Sequence, residues 1–116
     1  MDRHSHEKLR VYHVAIKFLA YSEGVLKLFP RGHATLADQF KRAALSIPLN
    51  IAEGAGKSSR PDSSRYFAIA RGSALECGAI LDACKVIGVV TGQHIEEGKQ
   101  LLVAIASMLS KLCRSR

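Results

Sequence analysis

The sequence predicts an all-α protein, an up-down antiparallel four-helix bundle formed by one domain spanning residues 1–116. Apolar residues recur at steps of three and four through four segments, which is the spacing of one helix face. Only short connections separate the segments, so consecutive helices run antiparallel. No alternating pattern typical of strands competes, and a chain that is 47% hydrophobic can form one modest core.

Helix 1 is expected over about residues 7–28, with residues 1–6 frayed. The Phe29-Pro30 pair ends it, because the residue before a proline is pushed away from helical geometry. Apolar side chains lie on more than one side of this helix and of the next. We therefore expect two faces of each helix to be covered, either in the core or by another subunit.

Helix 2 is expected over about residues 36–55, with Thr35 as its cap. Pro48 lies in its interior and cannot donate a backbone hydrogen bond. The apolar spacing nevertheless continues in phase from Ile47 to Ile51, which predicts a kink rather than a stop. Gly54 and Gly56 are the predicted termination positions.

Two further start and stop signals define the second half of the bundle. Ser59 is the predicted cap of helix 3, which is expected over about residues 61–87 and ends at Gly88. Helix 4 is expected over about residues 93–113, opened by Thr91 or Gly92.

Helix 2 also carries a line of polar side chains at helical spacing. Such a line is often a solvated face, but apolar residues elsewhere on this helix favour partial burial. We then expect Arg42, Asn50 and Glu53 to satisfy one another or the backbone freed by the internal proline. This structural role is favoured over a ligand site, and its predicted residues are Gln39, Ser46, Pro48, Asn50, Glu53 and Gly54 together with Arg42.

The formal net charge is +7 and the pI is about 9.7, which point to a polyanionic partner or an acidic surface. Basic residues cluster in sequence around helix 2 and the start of helix 3. An antiparallel helix pair places three of them near one end, where they can contact phosphates. The predicted nucleic-acid-binding residues are Lys41, Arg42, Lys57, Arg60 and Arg65.

Catalytic, metal and cofactor sites are not expected. The run from Gly54 to Ser58 resembles a phosphate-binding loop, but position 51 is Ile51 rather than the required glycine and no strand precedes it. The histidines and cysteines lack the spacing of a metal site. Glu53 and Glu76, the acidic residues close to helix midlines, are more typical of partners for basic residues than of a catalytic pair.

The chain is expected to be cytoplasmic. Its three cysteines, an odd number within apolar helical patterns, argue against a disulfide framework. No apolar run approaches the length of a membrane span, and the polar first eight residues lack the apolar region of a secretion signal.

One long motif in helix 2 identifies a family. The run Gln39, Lys41–Ala44, Ser46–Pro48 and Asn50–Gly54 resembles the signature of the proteins encoded in intervening sequences of bacterial 23S rRNA genes, also called the S23 ribosomal protein family. This chain has Lys41 where the family usually has arginine. Further matches are Phe29-Pro30, Phe67, Ile69-Ala70, Gly72-Ser73 and Glu76.

The resemblance implies an up-down four-helix bundle that assembles as a homopentamer, often around a central channel, with no established enzymatic activity. A related branch is the accessory variability determinant of diversity-generating retroelements, a basic pentamer that binds nucleic acid and a reverse transcriptase. The completeness of the helix 2 motif places this chain closer to the rRNA-intervening-sequence branch.

Two functions of different classes follow from the sequence. The first is a non-enzymatic homo-oligomer, as the resemblance implies, that binds RNA or other nucleic acid through basic surfaces. The second is an assembly or adaptor factor for another protein, such as a reverse-transcriptase accessory protein. An enzyme is a distant third, and no membrane partner is expected.

Overall fold

The computed structural model describes residues 3–114, which form four α-helices. They are α1 (Arg3–Leu26), α2 (Ala34–Ala55), α3 (Arg60–Ile87) and α4 (Gly92–Arg114). The bundle measures 45 × 22 × 19 Å along its principal axes, so it is one helix long and two helices wide. None of these helices combines the length and the apolar character that a membrane span requires.

Each helix packs against its neighbours in the chain, and α1 closes the arrangement by packing against α4. Within the described residues, the backbones of α1 and α3 do not approach each other closely, nor do those of α2 and α4, so the four helices form a square. Three fully buried rings, Phe18, Phe40 and Phe67, anchor the core. The predicted up-down four-helix bundle is confirmed.

The first helix is longer at its start than the sequence predicted. Arg3–His6 are helical rather than frayed, while residues 1 and 2 lie outside the described part of the chain. At its other end, α1 stops at Leu26, and the N–H groups of Leu28 and Phe29 bond back to carbonyls of its last turn at 2.9 and 3.2 Å. The turn before Pro30 therefore begins two residues earlier than expected.

The predicted cap of α2 is wrong. His33 occupies the N-cap position and makes no side-chain capping bond. Its carbonyl oxygen already accepts from the N–H of Ala37 at 3.0 Å, so Thr35 lies inside the first turn, where its hydroxyl cannot cap the helix. The helix consequently begins at Ala34 rather than Leu36.

The signals around α3 act as predicted. Ser59 Oγ accepts a hydrogen bond from the N–H of Asp62 at 3.3 Å and caps the helix. Gly88 ends it in the left-handed conformation, at φ 84°, where its N–H bonds to the carbonyl of Cys84.

The second helix continues through its internal proline, and Pro48 is buried. Gly54 does not end the helix as predicted but lies buried in its last turn, while Gly56 forms the C-cap. The carbonyl of Gly54 accepts a hydrogen bond from Ser63 Oγ at 2.8 Å, which fastens the end of α2 to the start of α3.

Candidate nucleic-acid interface

The antiparallel topology brings together the start of α1, the end of α2, the start of α3 and the end of α4. Among the described side chains, this end carries more basic than acidic groups. We call it the basic end, and it comprises Lys8, Arg10, Lys57, Arg60, Arg65, Lys111 and Arg114, accompanied by Glu7, Glu53 and Asp62.

The opposite end is nearly balanced in charge. Five carboxylates accompany six cations there, so the excess positive charge of the described chain is concentrated at the basic end of the bundle. The residues of this opposite end are Lys27, Arg31, Lys41, Arg42, Lys85 and Lys99 with Glu23, Asp38, Asp82, Glu96 and Glu97. Asp82 forms a hydrogen-bonded ion pair with Lys99.

Three of the predicted nucleic-acid-binding residues lie together at the basic end. The Lys57 ammonium lies 5.1 Å, and the Arg65 guanidinium carbon 5.0 Å, from the ring centroid of Tyr66. Both distances are within the range of cation–π attraction, which holds the two side chains near one aromatic ring. Lys57 Nζ also lies 3.4 Å from Glu53 Oε2, and Arg60 is exposed in the first turn of α3.

The other two predicted residues lie elsewhere. Lys41 and Arg42 are exposed near the start of α2, roughly 20 Å along the helix axis from Lys57 at a rise of about 1.5 Å per residue. Arg42 Nε lies 3.3 Å from Asp38 Oδ2, an exposed pair one helical turn apart. The five predicted residues therefore form two separate groups.

Sequence reasoning missed four members of the basic end. Lys8 and Arg10 come from the first turns of α1, and Lys111 and Arg114 from the last turns of α4. They are far in sequence from the predicted cluster, yet an up-down bundle of four helices always places its first and last ends beside the α2–α3 connection. Two features of the sequence could have revealed these residues: the predicted topology, and the basic residues in the last turn of α4.

The polar line on α2 is only partly buried. Ser46 and Ser73 hydroxyls lie 2.8 Å apart across α2 and α3, and Asn50 Nδ2 donates to the Ser46 carbonyl at 2.9 Å and to its hydroxyl at 3.0 Å. The expected mutual bonding of Arg42, Asn50 and Glu53 is wrong. Arg42 pairs instead with Asp38, and Glu53 pairs with Lys57; in both cases the partner is four residues away in the sequence.

The reason for this difference is the direction of each side chain. Ser46 and Asn50 face α3 and are half-buried, whereas Arg42 and Glu53 are exposed. Asn50 bonds to the carbonyl of Ser46 and not to that of Ala44, the group freed by the internal proline. The buried part of the line is therefore a small hydrogen-bonded cluster that joins α2 to α3.

The remaining titratable groups are not arranged around a common centre. In residues 3–114, no group of three histidine, cysteine or acidic side chains is close enough to hold a metal ion. Glu76 is exposed beside a cleft between α2 and α3 that also contains Gln39 and Ser73. Burial, with a smaller effect of Glu76, raises the pKa of the Cys77 thiol to about 12, which keeps it protonated at neutral pH.

Comparison with known proteins identifies the chain. The crystal structure of a protein of unknown function from the S23 ribosomal protein family of Bacteroides thetaiotaomicron VPI-5482 matches it with a TM-score of 0.87 and 20% sequence identity, covering 94% of this chain and 99% of that one. Comparison with curated proteins gives no significant match. The family model of the 23S rRNA-intervening sequence protein matches residues 7–111, and the chain belongs to this family.

Proposed function

We propose that the protein is a non-enzymatic, homo-oligomeric bundle of the cytoplasm that binds RNA through its basic end. The observation that carries this proposal is the convergence of basic side chains from α1, α3, α4 and the α2–α3 connection on one end of the bundle. Cations grouped in this way replace the counterions of nucleic-acid phosphates and so gain binding free energy. Contacts of this kind position a nucleic acid without reading its bases, so sequence specificity is expected to be weak.

Binding of a structured RNA, followed by fluorescence anisotropy at about 50 mM and about 200 mM salt, tests the proposal. The triple variant Lys57→Ala, Arg60→Ala, Arg65→Ala is expected to weaken binding. It is also expected to reduce the slope of log K against log salt by about 0.7–0.9 for each phosphate that the variant no longer neutralises. A matched control removes the same charge from the opposite end.

That control is the triple variant Lys27→Ala, Arg31→Ala, Lys85→Ala, three exposed cations. It is expected to bind RNA nearly as the unaltered protein does. An equal decrease in affinity for both variants would assign the effect to net charge alone, and binding that does not respond to salt would refute the proposal. Circular dichroism checks that both variants remain helical.

The proposed homo-oligomer rests on two apolar surfaces. Leu9, Ile16, Leu45 and Leu49 are 39–56% exposed on α1 and α2. On α3 and α4, Leu75 and Val103, 57% and 69% exposed, line another apolar groove. The first surface lies on α1 and α2 and the second on α3 and α4, which are different helix pairs of the square. Two unlike surfaces that bind each other give a ring when the rotation closes, as in the pentamer that the family resemblance suggests.

Light scattering coupled to size exclusion tests the assembly. The unaltered protein is expected to elute as an oligomer, and Leu49→Glu or Leu75→Glu as a smaller species, because each places a charge in an apolar contact. A monomeric unaltered protein at micromolar concentration would contradict the proposal.

The same apolar surfaces favour one second candidate function, that of an adaptor for another protein. A partner that survives nuclease treatment in a pull-down, and that Leu75→Glu releases, would support the adaptor. Release of all partners on nuclease treatment would support RNA binding instead.

A further inference from the structure

A recess of about 200 Å³ opens at the basic end, between α1, the α2–α3 connection and the start of α3. Lys8, Lys57 and Arg60 line it together with His4 and four serines around the start of α3, of which Ser63 already donates its hydroxyl to the carbonyl of Gly54. Its floor is apolar and closed, because Phe67 and Leu112 beneath it are 0% and 2% exposed.

Side chains, rather than the helix end, supply the positive charge of this recess. Pro61 has no N–H, and the N–H groups of Asp62 and Ser63 are already bonded to Ser59. Three carboxylates belong to this end of the bundle. Glu53 pairs with Lys57 at 3.4 Å, Asp62 is exposed on the first turn of α3, and Glu7 lines a different cleft between α1 and α4. Among the described residues, three cations and no carboxylate line the recess itself.

The shape and the charge of the recess favour one kind of phosphate. A phosphomonoester carries about −1.5 to −2 charges at neutral pH, whereas an internal phosphodiester carries one. A phosphodiester is also esterified on both sides, so it can cross the opening but cannot enter a recess with a closed floor. A terminal phosphate can enter it and reach several cations at once.

We propose that this recess binds the terminal phosphomonoester of an RNA chain, so that the protein prefers phosphorylated RNA ends to internal segments. The proposal rests on the RNA binding proposed above and assigns Lys8, Lys57 and Arg60 as the residues that contact the terminal phosphate.

The test uses the full chain and one hairpin RNA prepared with a 5′-phosphate, with a 3′-phosphate or with hydroxyls at both ends. The RNA with its preferred terminal phosphate is expected to bind about tenfold more tightly than the hydroxyl form, as a charge-assisted contact predicts. Arg60→Gln and Lys8→Gln are expected to weaken binding of every form, because both residues belong to the basic end, and to bring the ratio of the phosphorylated to the hydroxyl affinity close to one. Lys85→Gln, at the opposite end, is expected to keep the tenfold ratio.

The outcomes separate this inference from the RNA binding on which it rests. Equal affinity for all three RNAs, with normal salt dependence, would overturn the terminal-phosphate site alone, whereas binding of none would also refute the proposed function. Inorganic phosphate and a nucleoside monophosphate serve as competitors. If either binds as tightly as the phosphorylated RNA, the site is one for free phosphates and the inference is overturned.

Discussion

The backbone of Gly54 packs against the ring of Phe67 where α2 meets α3. A Cβ atom built at position 54 would stand 2.7 Å from Cε1 of Phe67 and 3.1 Å from the carbonyl oxygen of Ser63, both too close. Phe67 is fully buried, so its ring cannot move into solvent. We expect Gly54→Ala to lower the free energy of unfolding by about 1–3 kcal/mol, as overpacking does, measured by urea denaturation.

Gly72 provides the matched control, because it is an exposed glycine in the middle of α3 with no atom within 4 Å of an added Cβ. Gly72→Ala is expected to raise the free energy of unfolding by up to about 1 kcal/mol through helix propensity. If both variants are stabilised alike, the close packing of Gly54 against Phe67 does not constrain the fold.

Substitutions of the polar residues of α2 are expected to lower stability unequally, because only some of these residues belong to the hydrogen-bonded cluster with α3. Asn50→Ala leaves the half-buried Ser46 without one of its partners and is expected to cost about 1–2 kcal/mol of unfolding free energy. Glu53→Gln breaks only an exposed pair with Lys57 and is expected to cost less than about 0.5 kcal/mol.

Thermal or urea unfolding of the two single variants decides this point. Ser73→Ala, which removes the 2.8 Å contact with Ser46 from the other helix, is expected to resemble Asn50→Ala in sign. Equal costs for Asn50→Ala and Glu53→Gln would show that the whole polar line, and not its buried half, stabilises the bundle.

Ionisation of the Tyr21 hydroxyl is expected to lower the stability of the protein at alkaline pH. Its hydroxyl donates to the carbonyl of His94 at 2.5 Å, and burial, with a smaller effect of Glu97, raises its pKa from 10.0 to about 12. Between these values the unfolded chain has released the proton that the native state keeps. The stabilisation is therefore complete below pH 10 and falls as the pH rises towards 12, by roughly 1–2 kcal/mol in total once solvent screening of the partly exposed ring is allowed for.

Tyr21→Phe cannot titrate, so it serves as the control for this window. Its free energy of unfolding is expected to be about 1 kcal/mol lower near neutral pH, because the hydrogen bond is absent, but to fall less steeply above pH 10. Parallel pH profiles for the two proteins would show that the Tyr21 proton does not contribute. Urea denaturation at several alkaline pH values measures both slopes.

The four helices could be predicted because the signals for them are local. Apolar spacing marks each helix, and Ser59 and Gly88 bound α3 through bonds to residues within four positions. The start of α1 could not be predicted in this way. His4 and Ser5 are polar, and they are helical and half-buried because the start of α1 packs against the other elements at this end of the bundle, which no local pattern reveals.

The candidate site was predictable only in part, for a related reason. Lys57, Arg60 and Arg65 are close in sequence and remain close in the fold. Lys41 is separated from them by most of the length of α2, a distance that sequence proximity conceals. The pairing of Arg42 with Asp38, by contrast, follows from their spacing of four residues and could have been anticipated.

Helices α1 and α4 begin and end at the basic end, at Arg3 and Arg114. An affinity tag or fluorescent protein joined close to Arg3 or Arg114 would therefore stand beside the surface proposed to bind RNA. A histidine-rich tag would add to its positive charge below about pH 6.5, and a bulky fusion would obstruct it. Labels for binding experiments are better attached in the α1–α2 connection, at a position other than Gly32, whose φ of 96° would strain a replacement side chain.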